Sequence, residues 1–409
     1  MAIIKVQKGT KDILPNDMPI WHLMEEKAVE IFSKYGAKEI RTPIFEATEL
    51  FARGVGDTTD IVNKEMYTFE KSERSLTLRP ENTAGVVRSF IENGMHRLSA
   101  PVKLWYKGPM FRYERPQAGR QRQFHQVGVE VFGIKQPSAD AEVILMATNY
   151  LKALGLNDLS VELNSLGCPE CREVFKTKLK KVLKPYLSQM CPDCQSRYEK
   201  NPLRLLDCKV PECNEIYAKP EIQAVIQSDF ICEDCSNHFN ELKGYLDELG
   251  VNYSINKLLV RGLDYYNRTV FEIKSNNLGS QNAVCGGGRY DSLVKNLGGE
   301  DTPAIGFAMG MERLASLIGE KQDEKTIAFV VSNSPIEAIK LTEEVRRAGY
   351  TCEFDLTNKK FVKQLEKASK VAKYALILGE DEISSGKVTV KNLETSEQKV
   401  LDRNSNYFI

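Results

Sequence analysis

The residues best placed to do chemistry lie in one basic stretch, KGPMFRYERPQAGRQRQFHQVGVEVF, residues 107–132. Arg112 and Glu114 are two residues apart, so on a strand their side chains share a face. There an arginine can clamp a phosphate while the carboxylate accepts a hydrogen bond from an adenine amino group. Phe124 can stack on the face of a base. The stretch predicts a nucleotide-binding hairpin; the alternative is a basic hairpin that only faces solvent.

Two further stretches have the residue types of a small polar site. In RGLDYYNRTVFE, residues 261–272, an arginine precedes paired tyrosines that can line a pocket, although core aromatics are the plainer interpretation. In CGGGRYD, residues 285–291, three glycines let the backbone approach a ligand closely. We expect Gly286, Gly287 and Gly288 to form a turn.

A fourth stretch, AIGFAMGMERL (304–314), predicts a helix that opens at Gly306 and Gly310 and directs Arg313 towards a strand-lined site. The sequence contains no GxxxxGK motif followed by Ser or Thr, and no GxGxxG after a predicted strand. Any bound nucleotide must therefore be held by arginines on a sheet rather than by a glycine-rich phosphate loop.

Cysteines are concentrated in one segment of the chain. Eight of the ten are Cys168, Cys171, Cys191, Cys194, Cys208, Cys213, Cys232 and Cys235. Three pairs have the CxxC spacing, and such pairs in a reducing compartment are typical of thiolate metal sites. Unligated surface cysteines and a redox CxxC site are the alternatives. We predict a structural metal centre, zinc or iron, with one or two ions.

The spacing leaves open how the cysteines are shared between two ions. It favours Cys171, Cys191, Cys194 and Cys208 as one tetrahedral set, because a CxxC pair then lies between two single ligands. Cys168, Cys213, Cys232 and Cys235 would form the second set. Pairing two whole CxxC units is nearly as well supported.

Composition excludes several classes of protein. Lysine plus arginine and aspartate plus glutamate each total 56, so the formal net charge is zero, which excludes a polybasic nucleic-acid binder. No apolar run approaches the roughly 18 residues of a membrane span. The beginning, MAIIKVQKGTKD, is too polar for a secretory signal. We expect a cytoplasmic protein that makes no membrane contact, with two or three domains.

The sequence pattern changes along the chain, and the changes predict three domains. Residues 1–167 and 256–325 form a discontinuous catalytic domain, residues 168–255 a cysteine-rich insertion, and residues 326–409 a small α/β domain after a linker at 320–325. The predicted helices span 27–35, 140–154, 172–187, 240–249, 336–348 and 361–373. The predicted strands span 38–46 (an edge strand, because of Pro43), 102–106, 126–132, 326–331, 352–355 and 374–378.

Read together, these motifs resemble a known family. FRYE with FHQVGVEVFG resembles motif 2 of class II aminoacyl-tRNA synthetases, GMERL resembles motif 3, and the helix–strand unit with Pro43 resembles motif 1. RGLDYYNRTVFE, GGGRYD, KGTKDILP and TLRPENTAG are similar to signatures of histidyl-tRNA synthetases. The resemblance implies an α+β catalytic domain on a mostly antiparallel sheet, a homodimer through motif 1, and a C-terminal anticodon-binding domain. The eight cysteines depart from the general family pattern.

The same resemblance implies a reaction and roles for named residues. ATP with Mg2+ and L-histidine would form histidyl-adenylate, and the histidyl group would pass to tRNA(His). Arg112 and Arg261 would contact the α-phosphate and Arg313 the γ-phosphate, while Glu114, Arg120 and Phe124 would complete the ATP site. Glu130, Tyr265 and Tyr266 would bind the imidazole. Glu81, Thr83 and Gln126 would bind the α-ammonium group, with Asn82 beside them. The expected catalytic set is Arg112, Arg261, Arg313, Glu81 and Gln126.

Two readings from other classes remain. A non-catalytic relative that regulates ATP phosphoribosyltransferase would usually lack the arginines and the C-terminal domain. A zinc-ribbon nucleic-acid binder would explain the cysteines and leave most of the chain without a role. Residues 359–373 contain six lysines and one glutamate, which fits phosphate contacts in an anticodon-binding domain or simply a solvated helix face.

Overall fold

The computed structural model describes residues 3–57, 59–116, 120–275, 283–319, 326–357, 359–403 and 407–408. The chain divides into two compact units, residues 1–321 and residues 322–409. The linker predicted at 320–325 and the tip of the basic hairpin at 117–119 lie outside the described residues.

The first unit is built on a large sheet and a small one. Its strands are β1 (Lys38–Glu39), β2 (Phe45–Ala47), β3 (Tyr67–Lys71), β4 (Arg74–Leu78), β5 (Val102–Phe111), β6 (Gln123–Phe132), β7 (Leu159–Ser165), β8 (Tyr253–Ile255), β9 (Asn267–Ser275), β10 (Ala283–Arg289) and β11 (Ala304–Gly310). The large sheet has the order β1-β5-β6-β11-β10-β9-β7-β8, and the small one β2-β4-β3. Only the edge pairs β1/β5 and β7/β8 of the large sheet, among the residues described, are parallel. The predicted mostly antiparallel sheet is confirmed.

Helices cover the large sheet and fill the cysteine segment. They are α1 (Met18–Lys34), α2 (Thr48–Val55), α3 (Thr83–Glu92), α4 (Pro137–Ala153), α5 (Pro169–Leu183), α6 (Pro192–Lys200), α7 (Pro211–Tyr217), α8 (Pro220–Ile226), α9 (Glu233–Glu248), α10 (Leu293–Asn296) and α11 (Met311–Ile318). Shorter helical turns span Ile61–Glu65, Met95–Arg97, Lys184–Gln189 and Pro202–Asp207. Several helices begin at a proline, whose missing N–H would have no helical partner there.

The two faces of strand β6 lie in different environments. Val127, Val129 and Val131 are buried in the core with residues of α1 and α4, such as Met24 and Tyr150. The residues between them belong to the opposite face, because side chains alternate along a strand. The polar residues on that face of β6 therefore come to line a cavity.

The cysteine segment lies between β7 and β8 and has a small core of its own, centred on residues such as Phe175, Leu179, Ile222 and Ile226. Its last helix, α9, is different, because Leu242 and Leu246 are buried in the core beneath the large sheet. The segment is thus packed against the rest of the first unit at its C-terminal end.

Two glycine predictions were wrong. Gly286, Gly287 and Gly288 do not form a turn but lie inside the central strand β10, and Gly306 lies inside β11 rather than at a helix start. Gly310 does directly precede α11, as expected. Glycines are needed inside these strands because neighbouring groups approach the backbone too closely to leave room for a side chain.

The predicted edge strand at 38–46 is two short strands in different sheets, β1 and β2. Pro43 lies in neither, because it has no N–H to donate to a ladder. The carbonyl oxygens of Thr42 and Pro43 instead accept hydrogen bonds from the Arg79 guanidinium, at 3.0 and 3.4 Å. Arg79 is 4% exposed, so this bend is held from inside.

The second unit is a small α/β fold, as predicted. Its strands are β12 (Thr326–Ser332), β13 (Cys352–Phe354), β14 (Ala372–Leu378), β15 (Lys387–Asn392) and β16 (Gln398–Asp402), and its helices α12 (Pro335–Arg347), α13 (Phe361–Val371) and α14 (Glu380–Ser385). The sheet order is β13-β12-β14-β15-β16, with parallel pairs around β12 and antiparallel pairs after β14. Val330 packs with Leu341 of α12, and Phe329 packs with Ala368 of α13, so β12 is covered on both faces.

Among the described residues, no helix combines the length and the apolar character that crossing a membrane requires.

Candidate active site

A cavity of about 690 Å³ opens on the polar face of the large sheet. Strands β6, β9, β10 and β11, the start of α3 and the loop before β9 all contribute to its walls. The structure brings together nearly every predicted site residue at this cavity: Glu81, Thr83, Arg112, Glu114, Arg120, Phe124, Gln126, Glu130, Arg261, Tyr265, Tyr266 and Arg313. Asn82 does not line it. Its Oδ1 accepts hydrogen bonds from Thr42 Oγ1 at 2.6 Å and Arg79 Nη1 at 3.3 Å.

One end of the cavity is a buried pocket around the carboxyl group of Glu130. The Glu130 side chain is 1% exposed, and Thr83 Oγ1 donates to its Oε1 at 2.7 Å while the Tyr290 hydroxyl donates to its Oε2. Burial, and to a lesser extent the nearby Glu81 carboxylate, raise the pKa of Glu130 to about 8 against the effect of these hydrogen bonds. In the ligand-free protein this carboxyl therefore keeps its proton to a higher pH than an exposed glutamate does.

The paired tyrosines form a second wall of this pocket. The rings of Tyr265 and Tyr266 are 4.7 Å apart and both are buried. Burial raises the pKa of the Tyr266 phenol to about 12 and holds the pKa of the Tyr265 phenol well above its usual range, so both are neutral hydroxyls that can donate a hydrogen bond. This end of the cavity suits a flat polar ring with an N–H and a lone pair.

Next to it lie oxygen atoms suited to a small cation. Glu81 is 3% exposed and accepts hydrogen bonds from the amides of Thr83 and Ala84, at 2.6 and 3.0 Å, at the start of α3. Burial raises the pKa of its carboxyl. Gln126 Oε1 is buried and has no hydrogen-bond partner among the residues that the structure describes. A buried acceptor without a partner is costly, so a donor from a ligand is expected here.

The other end of the cavity is rich in arginine. Arg112 Nε donates to Pro80 O at 2.8 Å, and its guanidinium lies 5.3 Å from the centre of the Phe124 ring. Glu114 accepts from Arg120 Nη1 at 3.2 Å and lies 3.7 Å from Arg112 Nη1. Without a ligand, the acid thus partly neutralises two of the cations predicted to bind ATP.

Arg313, on α11, and Arg261, on the loop before β9, line the same cavity. Arg313, at the start of α11, donates to Ala283 O at 2.5 Å. Burial, and next the neighbouring Arg120 cation, lower the pKa of Arg313, so two positive charges face one another here. Arg261 Nη1 donates to Glu272 Oε1 at 2.5 Å. Close cations in a half-buried site favour a polyanionic ligand.

The glycines inside β10 and β11 make room for these groups. A Cβ on Gly286 would lie 1.8 Å from Arg261 Nη2, and a Cβ on Gly306 would lie 1.9 Å from Glu130 Oε2. Any side chain at either position would displace a site residue or the backbone. The glycines are therefore part of the site although they carry no functional group.

Comparison with known proteins identifies the family. Residues 9–170 and 216–314 match the family described as histidyl-tRNA synthetase, and residues 326–405 match the anticodon binding domain. A histidine–tRNA ligase of Acetivibrio thermocellus is 50% identical over 407 residues, which cover 97% of this chain and 97% of the relative. The chain belongs to the histidyl-tRNA synthetase family.

Solved structures agree with this assignment. The apo histidyl-tRNA synthetase of S. aureus has a TM-score of 0.81 and 37% identity, covering 98% of this chain and 97% of that one. A protein of Bacillus halodurans described as an ATP phosphoribosyltransferase regulatory subunit/histidyl-tRNA synthetase has a TM-score of 0.68 and 21% identity, and covers 93% of this chain and 100% of that one; it shares the fold. The family, the class II synthetase fold and the enzyme class predicted from the motifs are confirmed.

Within this synthetase, sequence reasoning missed several residues of the site. Tyr290, the hydrogen-bond donor to Glu130, lies in the GGGRYD motif but is not among the predicted site residues. Glu272 and Lys274 line the cavity from alternate positions of β9, a period-two signal that was available in the sequence. Glu312, beside Arg313, accepts from the His125 amide at 2.9 Å. Arg204 of the cysteine segment also lines the cavity, and no sequence signal pointed to it.

The cysteine segment contains the main departure from the family pattern, because residues 171–215 lie outside the matched ranges. Its eight cysteines form two groups in which the sulfur atoms lie within 4.8 Å of one another: Cys168, Cys171, Cys232 and Cys235, and Cys191, Cys194, Cys208 and Cys213. The grouping that the spacing favoured was wrong, and the first group joins two whole CxxC units. The fold brings together residues 67 apart, as Cys168 N donating to Cys235 Sγ at 3.2 Å shows.

Both groups have the donor set and the spacing of a closed metal site. A tetrahedral zinc ion with bonds of about 2.3 Å would hold four sulfurs about 3.8 Å apart. In the second group, Cys191 Sγ and Cys208 Sγ are 3.9 Å apart. Backbone amides also donate to the sulfurs, including Cys232 N to Cys171 Sγ at 3.0 Å and Cys191 N to Cys213 Sγ at 3.3 Å. Such bonds stabilise thiolates, so each group can bind one metal ion.

Proposed function

We propose that the protein activates L-histidine with ATP and Mg2+ to histidyl-adenylate, and then transfers the histidyl group to tRNA(His). The observation that carries the proposal is the polarity of the cavity. Arginines line one end, and the other end has a buried carboxyl, two neutral phenols and the Gln126 oxygen that lacks a partner. Together these ends match a triphosphate and an amino acid with a polar ring.

The site's residues act by positioning and by stabilising charge. A carboxylate oxygen of histidine attacks the α-phosphorus of ATP, the bond to the β-phosphate oxygen breaks, and pyrophosphate leaves. Arg112 and Arg261 neutralise the charge that develops on the α-phosphate, while Arg313 and Arg120 hold the outer phosphates. Mg2+, when bound with ATP, neutralises phosphate charge. No residue needs to form a covalent bond, so orientation supplies much of the rate.

Histidine is selected by the buried end of the cavity. Glu130 accepts the imidazole N–H, and a hydroxyl of Tyr265 or Tyr266 donates to the other ring nitrogen. Glu81, Thr83 and Gln126 accept from the α-ammonium group. An amino acid without a polar ring would leave buried partners unpaired, and such sites discriminate strongly.

The two cysteine groups each bind a zinc ion with a structural role. Support comes from the four sulfurs of each group and their amide hydrogen bonds. The segment's core is small, so metal binding can supply much of its folding free energy. We also propose that the chain is divided into a catalytic domain, a cysteine-rich insertion and a C-terminal domain.

The enzyme works in the cytoplasm as a homodimer that pairs through the motif 1 region. Exposed apolar side chains on and beside the small sheet β2-β4-β3 support this: Ile44, Phe45 and Phe69 are 43%, 54% and 43% exposed. Such a patch on a monomer marks an interaction surface. Sedimentation of Phe45→Lys, which should yield monomers where the unmodified protein is dimeric, tests the interface.

Histidine-dependent exchange of pyrophosphate into ATP tests the first step. The purified protein should show exchange with L-histidine and little with other amino acids, and should charge tRNA(His) when ATP is supplied. Absence of exchange with every amino acid would refute the proposal and favour a regulatory relative.

A further inference from the structure

The loop at residues 259–266, between β8 and β9, supplies three site residues but has no regular secondary structure. It carries Arg261 and the paired tyrosines Tyr265 and Tyr266. Its amides donate from Leu259 to Asn256 O at 2.9 Å and from Asp264 to Val55 O at 3.1 Å. A catalytic arginine on an irregular loop needs side chains elsewhere to fix its position.

Three side chains of the cysteine segment hold this loop. Arg204 Nη1 donates to the carbonyl oxygen of Arg261 itself at 3.1 Å. Asn201 Nδ2 donates to Asp264 Oδ1 at 2.7 Å. Arg172 Nη1 donates to Tyr266 O at 3.0 Å, and its Nη2 lies 3.4 Å from Asp264 O. The beginning, middle and end of the loop's RGLDYY stretch are thus all held from the insertion.

Arg204 is itself firmly held. It is 8% exposed, and its Nη2 lies 3.8 Å from Asp60 Oδ2. Asp60 also accepts from Arg197 Nη2 at 2.7 Å, and Arg197 Nη1 donates to Arg204 O at 3.5 Å. The guanidinium fork therefore joins an anchored carboxylate to the backbone of Arg261. A lysine, with a single charged centre, cannot reproduce both contacts in the same geometry.

The holding residues lie directly between metal-site cysteines. Arg172 follows Cys171 of the first group, and Asn201 and Arg204 lie on the connection from Cys194 to Cys208 of the second. Cys191 and Cys208 also line the cavity. The geometry of the two cysteine groups thus constrains the positions of the three side chains that hold the loop.

We propose that Arg204, assisted by Asn201 and Arg172, is a positioning residue for Arg261, so that the cysteine-rich insertion sets the geometry of the adenylation site. The inference rests on the proposed function. Displacing a reacting group by about 1 Å can cost about a hundredfold in rate, so losing this support should matter.

The test compares Arg204→Met with Arg346→Met in the full-length, metal-containing protein. Arg346 is a matched control, because its Nε donates to a backbone carbonyl, Cys352 O, at 3.0 Å within the second unit. Arg204→Met should lower kcat of histidine-dependent pyrophosphate exchange about ten- to a hundredfold with little change in the KM for ATP. Arg204→Lys should recover part of the loss, and Arg346→Met should behave as the unmodified protein.

Hydrogen exchange gives a readout that does not depend on activity. In Arg204→Met, amides of residues 256–266 should exchange faster while those of β6 are unchanged and the zinc content stays at the unmodified level. Cys208→Ser should speed exchange in the same peptide as well. If Arg204→Met folds poorly, Asn201→Asp, which places a carboxylate against Asp264, should produce the same pattern.

Unchanged kcat and unchanged exchange of residues 256–266 in folded Arg204→Met and Asn201→Asp would overturn the inference. So would a uniform loss of protection over the whole first unit, since that indicates a general loss of stability. If the unmodified protein itself shows no histidine-dependent pyrophosphate exchange, the proposed function fails. In that case the hydrogen-exchange result alone decides whether the loop is held as described.

Discussion

Replacing Glu130 by glutamine should change how the stability of the first unit depends on pH. Glu130 is 1% exposed and accepts hydrogen bonds from Thr83 and Tyr290. Burial, together with the Glu81 charge, raises its pKa from 4.5 to about 8. Glutamine has nearly the same shape and keeps an acceptor oxygen, but it cannot ionise.

The sign follows from proton binding. Because the folded pKa lies above the unfolded value of 4.5, the folded protein keeps a proton that the unfolded chain releases. This contribution to stability is fully present below pH 4.5 and is lost as pH rises through about 8. At about 1.4 kcal/mol per unit, the loss between pH of about 5.5 and about 8.5 is about 3 kcal/mol. Glu130→Gln should escape this loss.

Urea denaturation followed by tryptophan fluorescence measures the effect. The two tryptophans, Trp21 and Trp105, are both buried in the core of the first unit, so their signal reports on the unit that contains Glu130. Raising the pH should shift the stability difference by about 3 kcal/mol in favour of Glu130→Gln. Glu26→Gln, on the exposed side of α1, removes the same charge without a buried site and is the control. Parallel pH profiles for Glu130→Gln and the unmodified protein would refute the reasoning.

Three other predictions concern the reaction and the metal. Arg261→His should slow histidine-dependent pyrophosphate exchange by about a hundredfold or more, because a cation at the α-phosphate is lost; equal exchange rates would remove Arg261 from the chemistry. Deleting residues 326–409 should largely spare exchange and severely damage tRNA charging, since cationic contacts to tRNA phosphates are lost; full charging by the truncated protein would contradict this. Elemental analysis should find about two zinc ions per chain and about one in Cys194→Ser; an unchanged zinc content would reject the second cysteine group.

The sequence alone determined the features that depend on short stretches of chain. Alternation in Gln126–Phe132 predicted a strand with one polar face, and the structure extends that strand to Gln123 without changing its faces. Clustered motifs identified the family, the fold and a list of active-site residues that, apart from Asn82, meet at one cavity. Period and motif are local properties, so residues near in sequence are enough to read them.

Only the tertiary structure decided which distant residues meet. Cysteine spacing could not show that Cys168 and Cys235 belong to the same four-cysteine group, because several groupings satisfy the same spacing. Three consecutive glycines predict a turn, since glycine permits one. The structure shows that the strand needs glycines because other groups approach it closely: the Arg261 guanidinium at Gly286, the Phe271 ring at Gly287 and the Tyr266 ring at Gly288. Arg204 gave no local signal at all. Its role comes from a contact with the carbonyl of Arg261, 57 residues away, which exists only once the insertion has folded against the loop.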